Sequence, residues 1–499
     1  MIGGEHVDVL IVGAGVSGVN AACRLQERCP DKTFAILEAR DVIGGTWDLF
    51  RFPGIRSDSD MFTLCYPFRP WKGARAIVDG PEILDYVRET AREHAIDRRI
   101  RFHHRVVGAR WSSADARWTV DVERSDTGES SSMTAGFLFS CTGYYRYDEG
   151  YTPAFEGLER FGGEIVHPQF WSDEIDHDGK RVVVIGSGAT AVTLVPALAQ
   201  RASHVTMLQR SPSYILSLPA VDPVAGLLGR ILPARSAYRL VRWKNVGMTV
   251  GIYGLSKQRP ETMKRLLRGL AARQLPDGYD VDRHFQPSYD PWDQRLCLVP
   301  DGDLFKAISD NRVSVMTDQI ESFTETGVAL ASGSELDADM IVTATGLKMV
   351  PFGAISLSVD GIAVDLPESL VYRGMLVTGI PNMAFAFGYV NQSWTLGSDL
   401  ACQQVCRLLN HMDERGYASC TPRRPDDVEG SLPFAELTSG YIMRAIHEFP
   451  RQGEGSPWRR KQNYIDDWRS SRRISVDDDA LIYSTAVGAP TAASSEIAA

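Results

Sequence analysis

No C-x-x-C pair occurs anywhere in the 499 residues; the eight cysteines stand apart at 23, 29, 65, 141, 297, 402, 406 and 420. That spacing argues against both a dithiol redox centre and a disulfide framework. The thiols read as small, buried, reduced side chains of a cytoplasmic chain. Basic charge is scarce as well, with 53 Lys and Arg against 63 Asp and Glu and a net charge of -10, which argues against nucleic acid as a partner. The ten histidines show no metal-ligand spacing, so no metal is expected. The opening MIGGEHVDVL lacks the basic start and apolar run of a signal peptide, and no apolar stretch is both long enough and glycine-poor enough to span a bilayer. Ser187, in GSGATA, lacks the terminal glycine of a hydrolase nucleophile elbow.

What is present is glycine at two regular spacings. VDVLIVGAGVSGVNAACRLQER is an apolar run followed by Gly13, Gly15 and Gly18 and then a helical pattern. This G-x-G-x-x-G arrangement permits a tight turn, close backbone approach to a pyrophosphate and tight helix packing, with the helix N-terminus facing the anion. A second strand, TFAILEAR, then places Glu38 where a carboxylate accepts ribose hydroxyl protons. RVVVIGSGATAVTLVPALAQ repeats the pattern with Gly186, Gly188 and Ala191. The strand that follows it, HVTMLQRSP, ends in Gln209 and Arg210 instead of an acid. An acid there would repel a 2′-phosphate, whereas amide and guanidinium groups donate to it. The two cradles therefore predict FAD at the first site and NADPH at the second.

Between the cradles, IGGTWDLFRFPGIRSDSD at 43–60 has the glycine pair, the Pro-Gly turn and the aromatics Trp47, Phe50 and Phe52 of an ordered loop against a planar ring. FLFSCTGYY (137–145) and ADMIVTATGL (338–347) read as apolar strands that end where the chain crosses between nucleotide units. Residues 216–290 depart from the alternating pattern into apolar helical stretches. From 223 to 260 there are seven basic residues and no acidic one. A helical insertion over the substrate pocket with solvated cations is expected; a second reading has this segment touching an anionic membrane surface.

These stretches, with FGGEIVHPQFWSD at 161–173, resemble class B flavin monooxygenases and, within them, the Baeyer-Villiger monooxygenases. The fingerprint F-x-G-x-x-x-H-x-x-x-W falls on Phe161, Gly163, His167 and Trp171; Ser172 stands where the family has Pro or Asp. Likeness to the ethionamide-activating branch extends through PWDQRLCLVPDGDLF and GYVNQSWTL. The resemblance implies that NADPH reduces FAD, that dioxygen adds to the reduced flavin as a peroxide, and that a hydrophobic ketone becomes an ester or lactone. Oxidation of sulfur in thioamides or sulfides is also implied, and an N- or S-hydroxylating enzyme without ketone activity is the alternative.

By the same resemblance Arg295 is the catalytic arginine and Asp58 its flavin-side aspartate. Cofactor contacts are implied for Ser17, Thr46, Trp47, Asp48, Leu49, Val106, Arg56, Ser57 and Asp58. For NADPH they are implied for Gly186, Ser187, Gly188, Ala189, Thr190, Ala191, Val192, Gln209 and Arg210. His167 is expected to link the domains and not to act as acid or base. The expected fold is α/β with two Rossmann-like dinucleotide-binding domains and a helical insertion. FAD-binding parts are placed at 1–150 and 336–476, NADPH-binding parts at 151–215 and 291–335, the insertion at 216–290 and a flexible tail at 477–499. Oligomeric state is left open.

Overall fold

A computed structural model describes residues 5–473 and 475–485. The strand His6–Val12 lies between Phe34–Leu37 and Ser130–Ser140, parallel to both. Helices and loops cover both faces, so nearly every residue of this strand is buried, which explains the almost unbroken apolar run. Asp8, the one interruption, accepts from the Thr33 backbone N–H and hydroxyl at 2.7 Å each. The antiparallel strands His104–Ser112 and Arg117–Arg124 extend the same sheet. Met383–Phe385 joins it parallel to Ser130–Ser140, so the first nucleotide unit is built from both halves of the chain.

The second unit is a five-stranded sheet centred on Arg181–Ile185, flanked by His204–Gln209 and Met340–Thr343 and completed by Val313–Thr317 and Glu164–Val166, all parallel. Two α/β units of Rossmann type result, as the glycine spacings imply. The boundary expected at 335/336 falls too early: Met340–Thr343 pairs with Arg181–Ile185 in the second sheet, and the return to the first unit follows it. The two chain crossings pair with each other, Tyr145–Gly150 running antiparallel to Leu347–Met349.

Between the two halves of the second unit, Ile215–Leu218 and Cys297–Pro300 form a parallel ribbon that clasps the ends of the insertion. The insertion is helical, with Pro223–Ile231, Ala234–Gln258, Pro260–Ala272 and the short Val281–Phe285. Its first helix begins at Asp222, whose carboxylate accepts from the N–H groups of Val224 at 2.9 Å and Ala225 at 3.1 Å, satisfying two donors that a helix start leaves free. Among the described residues no helix is long and apolar enough to cross a membrane. The tail is also corrected. Leu481–Thr485 is a strand antiparallel to Tyr417–Pro422, anchored by the buried Leu481, while 486–499 lie outside the described residues.

Candidate functional site

Both glycine turns lead into helices whose N-terminal N–H groups have no side-chain cap, at Gly15 before Val16–Arg28 and at Gly188 before Ala189–Leu198. Uncapped donors in a helix-first turn are what a pyrophosphate would satisfy. Gly13 has φ of +100° and a Cβ there would sit 2.7 Å from the Cys141 carbonyl oxygen, so only glycine closes this turn. A Cβ on Gly18 would meet the Gly13 carbonyl oxygen at 1.9 Å, which fixes its role as helix packing. Ala191 takes the equivalent place in the second unit, buried against the sheet. A Cβ on Gly188 would meet nothing within 4 Å, leaving that turn open to a ligand.

Glu38 stands at the end of the second strand, buried, with one carboxylate oxygen accepting from Ala14 N–H at 2.7 Å and the other from Arg40 N–H at 3.0 Å. Burial pushes its pKa up, against the pull of those N–H bonds and of the Arg40 charge. The strand end, the first glycine turn and the loop 44–59 enclose a cavity of about 540 Å³. Gly13, Gly15, Ser17, Glu38, Thr46, Trp47, Arg56, Ser57, Asp58, Val106, Ala189, Thr190 and Arg295 all line it, bringing together residues from both units. Ser17 receives a bond from Trp394 Nε1 at 2.8 Å, and the Ser57 hydroxyl accepts from Val78 N–H at 3.3 Å. Arg56 pairs with Asp303.

Several expected contacts are placed elsewhere. Asp48 is buried beneath three arginines, Arg40 at 2.6 Å, Arg88 at 3.1 Å and Arg51 at 3.3 Å, and holds the loop instead of facing the cavity. Leu49 and Val192 pack into the apolar core of the second unit. Gln209 is 1% exposed, its amide donating to the His284 carbonyl and to Thr317 Oγ1, both at 2.8 Å, so it braces the strand end and offers no free donor to a phosphate. Arg210 is exposed, with no ion pair among the described residues. The Ser187 hydroxyl donates to the Ser211 carbonyl at 2.9 Å, tying the glycine turn to the loop after Arg210. Gly186, Ser187, Gly188 and Arg210 lie off the main cavity wall.

The fingerprint residues are structural neighbours of the crossings. His167 accepts from Gln169 N–H through Nδ1 at 3.2 Å and contacts the Gly346 carbonyl through Nε2 at 3.2 Å, while a Cβ on Gly150 would collide with its ring at 2.4 Å. Burial lowers its pKa. Phe161 and Trp171 are buried, and a Cβ on Gly163 would meet the Asp339 carbonyl oxygen at 2.5 Å and the Phe161 ring.

At the far end of the cavity Arg295 forms an ion pair with Asp58. Burial by itself would pull the guanidinium pKa down, but Asp58 and the phenols of Tyr441, Tyr144 and Tyr145 outweigh it and hold the group protonated. The hydroxyls of Tyr144 and Tyr145 are bonded to each other at 2.9 Å, and Tyr144 stacks on Trp394 at 5.3 Å. Arg295, Asp58, Ser59, Leu298 and Gln392 also line a second chamber of about 270 Å³, so the ion pair sits at the junction of two spaces. The wall of this chamber is mostly apolar, with Leu216, Leu218, Ile252 and Leu296 on the insert side. Sequence reasoning missed Tyr144, Tyr441, Trp394 and Gln392; of these Tyr144, Trp394 and Gln392 lay in stretches already singled out, GYY and NQSWTL, and Tyr441 did not.

The profile of flavin-binding monooxygenase-like proteins matches residues 6–223. The chain is 55% identical over 478 residues to the FAD-containing monooxygenase EthA of Mycobacterium tuberculosis, covering 96% of this chain and 97% of that one. Among solved structures, an oxidized steroid monooxygenase bound to NADP superposes with a TM-score of 0.76 at 23% identity, covering 96% of this chain and all of that one. Cyclohexanone monooxygenase from Rhodococcus sp. Phi1 bound to NADP+ gives 0.75 at 18% identity, covering 97% and 100%. The first glycine turn and the start of the second unit's glycine helix line one cavity, and identity runs over nearly the full length: this chain belongs to the FAD-containing monooxygenase family.

Proposed function

We propose that the protein is an NADPH- and dioxygen-dependent monooxygenase that converts hydrophobic ketones to esters or lactones, with FAD held by the first unit and NADPH by the second. The observation that carries this reading is the Arg295–Asp58 pair at the junction of the cofactor-sized cavity and the apolar chamber. Bound FAD and NADPH supply hydride transfer and the activation of dioxygen. The protein's part is to hold charge and exclude water. Arg295 keeps a fixed positive charge that hydrogen-bonds to oxygen as it becomes anionic during attack on a carbonyl, and a guanidinium cannot give that proton away. Asp58 anchors the guanidinium and so sets its direction. Tyr144, Tyr145 and Trp394 close the adjacent wall against bulk water, and a dry surround strengthens the charge that Arg295 presents. Glu38 is the acceptor for ribose hydroxyls, and Arg210 the donor to a 2′-phosphate.

The mostly apolar wall of the chamber suits a thioamide or sulfide as well as a ketone, so sulfur oxidation is the second activity proposed. The test is product analysis by mass spectrometry after incubating the FAD-loaded enzyme with NADPH, ¹⁸O₂ and a mixed panel of linear, cyclic and aryl ketones, thioamides and amines. Esters or lactones carrying one ¹⁸O are expected. Oxidised sulfur or nitrogen products with every ketone recovered unchanged would contradict the ketone assignment.

A further inference from the structure

Among the described residues, nine of the fifteen exposed large apolar side chains lie between 221 and 266. They belong to the insert helices Pro223–Ile231, Ala234–Gln258 and Pro260–Ala272 and to the turn before them. Leu227 and Ile231 are 60% and 66% exposed. On the long helix, Leu240, Trp243, Met248 and Leu255 share one face by helical spacing, and the glycines between them, 247 and 251, carry nothing within 4 Å of a would-be Cβ. A contiguous apolar face of this kind on a folded chain marks a binding surface.

The charge along that face is predominantly basic, and the acids that border it, Asp222 and Glu261, are paired with Lys244 and Lys264. Seven basic residues and no acidic one fall between 223 and 260 in a chain whose net charge is -10. Lys244 and Lys257 are paired, with Asp222 at 2.5 Å and Asp293 at 2.8 Å, and Arg242 is buried. Arg230, Arg235, Arg239 and Arg259 are exposed and make no ion pair among the described residues. Exposed apolar side chains beside unpaired cations are the pattern of a helix lying in the plane of an anionic bilayer. A second copy of the chain would set the same cations against themselves, which disfavours a two-fold contact here.

The face is also continuous with the substrate chamber. Val221, Val224 and Met248 belong to the exposed apolar surface and line the 270 Å³ chamber whose inner end is Arg295 and Asp58. We propose that this face rests on an anionic lipid surface and that apolar substrates pass from the lipid through the rim of Val221, Val224 and Met248 into the chamber. The entry route rests on the oxygenase reading above; the docking does not.

The test uses the full-length, FAD-loaded protein and vesicles of phosphatidylcholine with equal phosphatidylglycerol, or of phosphatidylcholine alone. Co-sedimentation with the anionic vesicles is expected. The triple variant Arg230→Glu, Arg235→Glu, Arg239→Glu should weaken it by on the order of a hundredfold, taking each cation near such a surface at its usual strength. The pair Leu227→Ser and Leu240→Ser should weaken it independently. Both variants should keep their flavin and turn over a water-soluble ketone normally, while losing turnover of a long-chain ketone dissolved in the vesicles. Wild-type protein left in the supernatant with both vesicles, or binding equal in all variants, would overturn the proposal. So would a dimer, seen by light scattering, that the apolar variant dissociates in the absence of vesicle binding. Sedimentation is read without substrate, so vesicle binding by a chain that oxygenates nothing would refute the ketone reading alone.

Discussion

Arg210 ends its strand exposed and without an ion pair among the described residues, while the amide of its neighbour Gln209 is engaged by His284 and Thr317. On the proposed reading, discrimination between NADPH and NADH therefore falls to one guanidinium. A charge-assisted bond to phosphate contributes about 1.5 to 3 kcal/mol, so Arg210→Ala should raise the KM for NADPH by roughly ten- to a hundredfold and leave that for NADH within about twofold. Steady-state kinetics with both dinucleotides checks this. Glu38 gives a pH dependence. Its pKa is raised by burial, so in the cofactor-free protein it contributes most to stability below the unfolded value of about 4.3, and that contribution is lost as pH rises through the raised value. Ribose hydroxyls bound at that carboxylate would donate to the charged form and oppose the loss. Melting curves of the FAD-free and FAD-loaded protein should thus separate further as pH rises from about 4 to 7. The glycine turns and the place of Glu38 at a strand end were legible because they follow from spacing along a strand, a turn and a helix. Asp48 and Gln209 were misplaced because burial under Arg40, Arg51 and Arg88, or against Thr317, is set by segments far away in sequence.

At the scale of elements, the insertion hangs on its first cap. Asp222 accepts two helix N–H bonds and pairs with Lys244 of the long helix at 2.5 Å. Burial opposes its ionisation, but the Lys244 bond and the two N–H bonds outweigh burial and lower its pKa. Its stabilising effect is present above the unfolded value of about 3.9 and is lost as pH falls through the lowered folded value. Asp222→Ala should cost about 1 to 2 kcal/mol at neutral pH, measured by denaturant unfolding, with the gap from wild type closing in acid. The loop before the second unit is a further test. Gly54 has φ of +77°, and a Cβ there would lie 2.7 Å from the Ala197 Cβ and 2.9 Å from the Thr193 carbonyl oxygen. Gly54→Ala should cost on the order of 2 kcal/mol and slow reduction of the flavin by NADPH, because it wedges the loop away from the second glycine helix. The insertion could be read from the break in strand and helix alternation. The boundary near 340 could not, since an apolar strand such as Met340–Thr343 fits either sheet until its partners are known.

For the molecule as a whole, the site is a meeting of distant pieces. Asp58 comes from a loop of the first unit, Arg295 from the end of the insertion, Tyr144 from a crossing and Tyr441 from the last quarter of the chain. Residue patterns identified the first two only through family resemblance, and the aromatic wall around them emerges only once both crossings are paired. Two cradles, one junction and one apolar chamber make the proposed function depend on a division of tasks: electrons and oxygen activation would come from the cofactors the two units would hold, and Arg295 would supply fixed positive charge to oxygen as it adds to substrate. The most direct measurement is a paired assay on Arg295→Ala, following bleaching of the bound flavin by NADPH in stopped flow and ester formation from a ketone that the wild type accepts. Bleaching should stay within a few-fold of wild type while ester formation falls by roughly a hundredfold, equivalent to about 3 kcal/mol in the barrier. Ester formation retained within about threefold would contradict the assignment of Arg295.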